Sequence, residues 1–92
     1  MSERAGDGKT ALVTGSTAGI GRAIALALAA EGFSVMLNGR RDAAAAEEIR
    51  AEADRANGMT NSCVYVRADV SDGAGRAVLR EAVRSRFGRL DV

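Results

Sequence analysis

The stretch VTGSTAGIGRAIA, residues 13–25, holds the side chains and spacings best suited to chemistry. Three glycines, Gly15, Gly19 and Gly21, fall between a short β-rich run and a helical stretch. Gly15 lets the backbone turn sharply as it leaves the strand. Gly19 leaves space for a pyrophosphate to approach the main chain, and Gly21 lets the helix pack closely on the sheet. The N–H groups and the dipole of the following helix then face the phosphates. Ser16 and Thr17 add hydroxyl donors. A tight strand-to-helix turn without a ligand would use the same glycines. The placement after a first strand and at the opening of a first helix is, however, what a dinucleotide site needs. A nucleoside-triphosphate loop is excluded, because no Gly-Lys-Ser/Thr occurs.

Two further segments belong with this loop. The second strand ends in LNGRR, residues 37–41, with no acid to accept hydrogen bonds from a ribose hydroxyl pair. Arg40 and Arg41 instead offer guanidinium groups that grip a phosphate with two donors. The third strand ends in ADV, residues 68–70, where Asp69 offers a carboxylate acceptor with the Val70 main chain beside it. Solvated loop arginines, and Asp69 capping the third helix, are the alternatives.

The elements that must position these residues alternate regularly. TALVT (10–14), FSVMLN (33–38) and SCVYVRA (62–68) read as strands. Helices are expected from Gly19 to about Glu31, where Ile20, Ile24, Ala27 and Leu28 recur at helical spacing, and over 42–57, capped by Asp42. A third follows Ser71 or Asp72, with Val78, Leu79, Ala82, Val83 and Phe87 as its stripe and Gly88 as its stop. Leu90-Asp91-Val92 reads as the opening of a fourth strand. Such alternation implies an α/β fold, a Rossmann-type doubly wound parallel sheet with strand order 3-2-1 and the fourth strand beside the first. The sheet is expected to be truncated at the start of strand 4, across the cofactor crevice, which leaves the first strand as a largely uncovered edge. The organisation is a flexible tail over 1–8 and a partial dinucleotide-binding domain over 9–92.

Composition narrows the chemistry. The 92 residues carry a net charge of +1 and three aromatic side chains, Phe33, Tyr65 and Phe87. That balance gives no case for nucleic acid or an anionic membrane as partner. There is no histidine, one cysteine and one lysine, Lys9, against twelve arginines. The commonest general base and metal ligand is thereby absent. Cys63, in an apolar strand, reads as a packed thiol in a reducing compartment. No apolar run approaches the ~20 residues of a membrane span, and MSERAGDG lacks a signal-peptide core. The expected compartment is the cytoplasm.

TGSTAGIG (14–21) resembles the Thr-Gly-x-x-x-Gly-x-Gly cofactor loop of the short-chain dehydrogenase/reductase family. ADV (68–70) resembles the family's strand-3 ending, and FGRLDV (87–92) the segment leading into its strand 4. The resemblance spans 10–92 but only the first half of the family's fold. It implies an NAD(P)-dependent oxidoreductase moving a hydride between nicotinamide and a carbonyl or alcohol carbon. The cofactor contacts it implies are Thr14, Gly15, Ser16, Thr17, Gly19, Ile20, Gly21, Asn38, Arg40, Arg41, Asp69 and Val70. Gly39 stands where NAD-type members carry Asp, so NADP is favoured and NAD is the alternative. The family's catalytic Tyr-x-x-x-Lys has no counterpart, since Tyr65 is the only tyrosine and Asp69 lies four residues on. The chain is therefore expected to be the N-terminal cofactor-binding part of such an enzyme and not catalytic alone. A non-catalytic dinucleotide-binding or subunit-pairing product is the alternative, and a methyltransferase-like fold would leave Arg40 unexplained. VTGSTAGIG followed by ALAAEG and LNG is also similar to bacterial 3-hydroxybutyrate dehydrogenases, although Arg40 and Arg41 count against that match. A 3-oxoacyl or ketone reductase is the other substrate option. The resemblance further implies a homo-oligomer for the full-length form.

Overall fold

The computed structural model describes residues 3–92. Along the chain run β1 (Thr10–Val13), α1 (Gly19–Ala30), β2 (Ser34–Gly39), α2 (Ala43–Asn57), β3 (Val64–Arg67) and α3 (Gly73–Arg86). The three strands form one parallel sheet with β2 in the centre, so the order is β3-β2-β1, as the alternation predicts. Thr10 lies opposite Ser34, and Gly39 opposite Arg67. The ends of β2 and β3 therefore finish level.

Strand alternation divides the core between two faces. Ala11, Val35, Leu37 and Cys63 are fully buried with Ala25 and Ala29 of α1 and Ala53 of α2. The small side chains let both helices lie close to the sheet. Leu12 belongs to the opposite face and borders a groove with Leu79 and Val83 of α3. The sheet is thus wound on both sides, as right-handed crossovers require.

Local chemistry sets the helix ends. The Asp42 carboxylate accepts from the Ala45 N–H at 2.9 Å, and the Asp72 carboxylate accepts from the Gly75 N–H at 2.7 Å. Each is an N-cap of a kind that contributes ~1 kcal/mol. Asp72, not Ser71, caps α3. No side chain caps α1, whose N-cap residue is Ala18.

Residues 91–92 run beside β1 on the edge away from β2. The Leu12 N–H donates to the Val92 carbonyl at 2.9 Å and the Val92 N–H to the Thr10 carbonyl at 3.2 Å, the pattern of a parallel ladder. These bonds extend the pairing on the β1 edge, although residues 91–92 are not themselves a strand and the sheet has three strands. The edge of β1 is partly paired rather than bare. Asp91 strengthens this junction by accepting from the Thr10 N–H at 2.9 Å. That bond, followed by the Arg89 guanidinium, holds the Asp91 carboxyl below its ordinary range.

Met1 and Ser2, the first two residues of the expected flexible tail, lie outside the described residues. Arg4 to Gly8 form hydrogen-bonded turns joined to the helices. The Gly6 N–H donates to the Glu31 carbonyl at 2.7 Å, and the Arg4 guanidinium to the Asn57 carbonyl at 2.5 Å.

Candidate dinucleotide cleft

The candidate site lies at the C-terminal ends of the strands, where an open α/β sheet holds its ligands. Gly15 and Gly19 adopt left-handed backbone angles, with φ of 61° and 58°. A Cβ at either position would project into open space, so these turns are backbone requirements with room in front of them. Gly21 is different. A Cβ there would sit 2.2 Å from the Gly15 carbonyl oxygen, so the close approach is to the loop itself and not to the sheet. The first turn of α1 folds directly over the glycine loop. With no side-chain cap, its N–H groups are directed at the space beside Gly19.

Beside this loop is a cleft of about 320 Å³ bordered by Gly15, Thr17, Asn38, Gly39, Arg40, Arg41, Ala68, Asp69 and Val70. Seven of the residues singled out in the sequence meet here: Gly15, Thr17, Asn38, Arg40, Arg41, Asp69 and Val70. Gly19 and Gly21 shape the loop at one end. Ile20 is exposed. Thr14 borders the separate groove of about 550 Å³ between β1 and α3, which it shares with Val70.

Two of the expected ligand contacts hold the site together from beneath. Ser16 is fully buried, so its hydroxyl does not face the cleft as expected. It accepts from the Asn38 N–H at 2.8 Å and donates to the Asn38 carbonyl at 3.2 Å. Asn38 is 1% exposed, and its side-chain amide is spent internally. Nδ2 donates to the carbonyls of Val66 at 3.0 Å and Ala68 at 3.2 Å, while Oδ1 accepts from the Gly15 N–H at 3.4 Å. One amide therefore ties the glycine loop, the end of β2 and the end of β3 into a single rim.

Asp69 neither caps α3 nor stands free. Its Oδ1 accepts from the Ser71 hydroxyl at 2.6 Å and the Ser71 N–H at 2.9 Å, and those bonds lower its pKa. Oδ2 is left toward the cleft, 3.9 Å from the Arg40 guanidinium. The Arg40 side chain is 82% exposed, so this pair is weak and the guanidinium is available to a ligand. Gly39 is hemmed in. A Cβ there would meet the Thr17 side chain at 2.9 Å and the Tyr65 hydroxyl at 3.2 Å, which opposes an acidic side chain at this position.

Sequence reasoning missed Tyr65 and Arg67. The Tyr65 hydroxyl donates to the Arg41 carbonyl at 2.5 Å, and the Arg67 Nε–H donates to the Arg40 carbonyl at 3.0 Å. The signal was their spacing, two apart on one strand beside the level end of β2. Burial, opposed by the nearby Arg67 charge, pushes the Tyr65 phenol above its ordinary range.

The short chain dehydrogenase family model matches residues 9–92. The D-beta-hydroxybutyrate dehydrogenase of Cupriavidus necator is 44% identical over 86 residues, covering 94% of this chain and 32% of its own length. Versicolorin reductase 1 of Aspergillus parasiticus is 42% identical over 86 residues, with the same two shares of 94% and 32%. Among solved structures, YwfH, an NADPH-dependent reductase involved in bacilysin biosynthesis, superposes with a TM-score of 0.80 at 35% identity. That match covers 90% of this chain and 34% of YwfH. The NADH-dependent reductase A1-R′, complexed with NAD, gives 0.80 at 36% identity, covering 92% and 34%. The chain spans about a third of the length of the curated relatives it matches. With a family model matched over residues 9–92, the chain belongs to the short-chain dehydrogenase/reductase family.

Proposed function

We propose that this chain binds the adenosine and pyrophosphate portion of NADP, as the cofactor-binding part of an oxidoreductase acting on a carbonyl or alcohol carbon. The observation that carries the proposal is the joining of an uncapped helix N-terminus and two left-handed glycines, with open space before them, to a cleft edged by Arg40. The residues present fit a dinucleotide: the loop supplies main-chain donors for phosphates, and the cleft is lined at the ends of β2 and β3. Gly15, Thr17, Gly19 and Ile20 would hold the pyrophosphate, and Asp69 Oδ2 with the Val70 main chain the adenine. When bound, the cofactor supplies the hydride acceptor or donor at its nicotinamide ring. Orienting the adenosine end is the part performed by this chain's own residues. The Tyr65 hydroxyl is bonded to a main-chain carbonyl, and no lysine follows it at four residues, so proton transfer to the substrate is not among their tasks. Cytoplasmic location and a 3-hydroxybutyrate or 3-oxoacyl substrate for the whole protein belong to the same proposal.

NADP is favoured over NAD on charge. The end of β2 carries no acid, and the exposed Arg40 faces the region where an adenosine 2′-phosphate would lie. A charge-assisted bond contributes ~1.5–3 kcal/mol, and solvent exposure places Arg40 near the lower end, about a tenfold preference. Calorimetric titration with NADP and NAD should show that preference, and Arg40→Asp should erase or invert it. Equal affinities in the unaltered chain, or a ratio indifferent to Arg40→Asp, would overturn the assignment.

A further inference from the structure

Three consecutive carbonyls, from the last residue of β2 onward, are each held by a donor from the β3 side. The Gly39 carbonyl accepts from the Ala68 N–H at 3.0 Å, the Arg40 carbonyl from Arg67 Nε and the Arg41 carbonyl from the Tyr65 hydroxyl. The first bond continues the parallel ladder. The other two are side-chain bonds that replace the ladder where β2 turns away toward α2. Tyr65 and Arg67 stand two residues apart, hence on one face of the sheet, and Tyr65 is packed against the core cluster. The clamp therefore rests on a rigid element. Gly39 makes room for it, since the Tyr65 hydroxyl occupies the space that a side chain at 39 would need.

From this geometry we propose that Tyr65 and Arg67 are positioning residues for phosphate discrimination, fixing the main chain from which Arg40 and Arg41 reach the ligand. The inference rests on the reading of the cleft as an adenosine 2′-phosphate site. The exposed Arg40 guanidinium has only the weak pair with Asp69 at 3.9 Å, and its carbonyl is held beneath it, so its backbone is set before any ligand arrives. Ordering a loop at the moment of binding costs affinity, and a loop already ordered does not incur that cost. Both bonds end on the main-chain carbonyls of the two residues that carry the guanidinium groups, so the ligand without the 2′-phosphate gains little from them.

The probes are 2′,5′-ADP and 5′-AMP, which differ by that phosphate alone, titrated calorimetrically into the chain and its variants. Tyr65→Phe removes the hydroxyl donor, and Arg67→Lys replaces the fixed Nε–H by a mobile ammonium, with net charge preserved in both. Each should weaken 2′,5′-ADP by about three- to tenfold, the value of one net hydrogen bond, and leave 5′-AMP within about twofold. In an Arg40→Gln background neither should change the ratio further, a coupling that a merely structural role would not produce. Thermal unfolding of each variant identifies one that fails to fold, in which case the other carries the test. Equal weakening of both ligands, or a ratio unchanged in Tyr65→Phe and Arg67→Lys yet lost in Arg40→Gln, overturns the clamp. A ratio unchanged in Arg40→Gln overturns the phosphate reading beneath it, and the clamp with it.

Discussion

Replacing Asn38 by Asp tests the architecture of the cleft with the smallest possible change. The two side chains have the same shape, but the NH₂ group that donates to the Val66 and Ala68 carbonyls becomes an oxygen. Two bonds of 3.0 and 3.2 Å turn into acceptor–acceptor contacts at a residue only 1% exposed. Losing each bond costs ~1 kcal/mol, and leaving a carbonyl facing an oxygen adds part of its desolvation cost, so the change should cost about 3–5 kcal/mol at neutral pH. That is a large share of the ~5–15 kcal/mol that stabilises a small domain. At ~4–8 °C per kcal/mol, the melting temperature should fall by at least 12 °C.

The loss should also depend on pH. Burial and the two facing carbonyls disfavour the charged form, so the introduced carboxyl has a folded-state pKa above its unfolded value of ~3.9. Below that unfolded value it is protonated in both states, and its O–H donates to one of the carbonyls. As pH rises toward the folded pKa this contribution disappears, and above it the full cost applies. Urea titrations of Asn38→Asp and the unaltered chain at pH 4 and pH 7 should therefore give midpoints that diverge at the higher pH. Equal midpoints at pH 7, or a separation that does not change between the two, would refute the role given to this amide.

Gly21→Ala places a Cβ 2.2 Å from the Gly15 carbonyl oxygen, so α1 must move off the glycine loop. A stability loss of ~1–3 kcal/mol should appear in urea titrations, together with at least tenfold weaker binding of NADP and NAD alike. Asp54 bonds the 61–63 turn, accepting from the Cys63 N–H at 2.8 Å, the Asn61 N–H at 3.0 Å and Arg50 at 2.7 Å. Burial opposes the charge, but these bonds outweigh it and lower the pKa. A depressed folded pKa means the stabilisation is present above the unfolded value of ~3.8 and is lost as pH falls through the folded one. Asp54→Asn should thus cost ~2–3 kcal/mol at pH 7, with the gap to the unaltered chain closing below pH 3 in urea melts.

The parts of the fold legible in the sequence are those written in local pattern. The glycine loop, the Asp42 cap and the alternation of strands with helices depend on residues within a few positions of one another, and each lies where its spacing predicts. The sheet order follows because right-handed crossovers leave few other arrangements. Ser16 was misjudged for the opposite reason. A hydroxyl in a glycine loop can serve a ligand or the protein, and the choice depends on Asn38, 22 residues away. Tyr65 and Arg67 show only the signal of their spacing for a related reason, since they bond to carbonyls, which every residue possesses and no motif records.

That asymmetry explains how the cleft is organised. Residues recognisable by type, Gly15, Gly19, Arg40 and Asp69, stand at the glycine loop and the open cleft, where the proposed ligand would dictate what they must be. Residues behind them, Ser16, Asn38, Tyr65 and Arg67, act on main chain, where any donor of suitable reach would serve. The first group fixes which ligand class fits. The second fixes how rigidly the first is held, and a preorganised phosphate contact contributes more than one that must be ordered on binding. On the proposed reading, cofactor preference in this chain therefore depends on two layers. Exchanging only the residue at the end of β2 alters the charge that meets the ribose but leaves the clamp beneath it unchanged. Gly39 connects the layers, because any side chain placed there must displace Thr17 or the Tyr65 hydroxyl. An acid introduced at Gly39 would thus act twice, by accepting from the ribose and by loosening the main chain that carries Arg40.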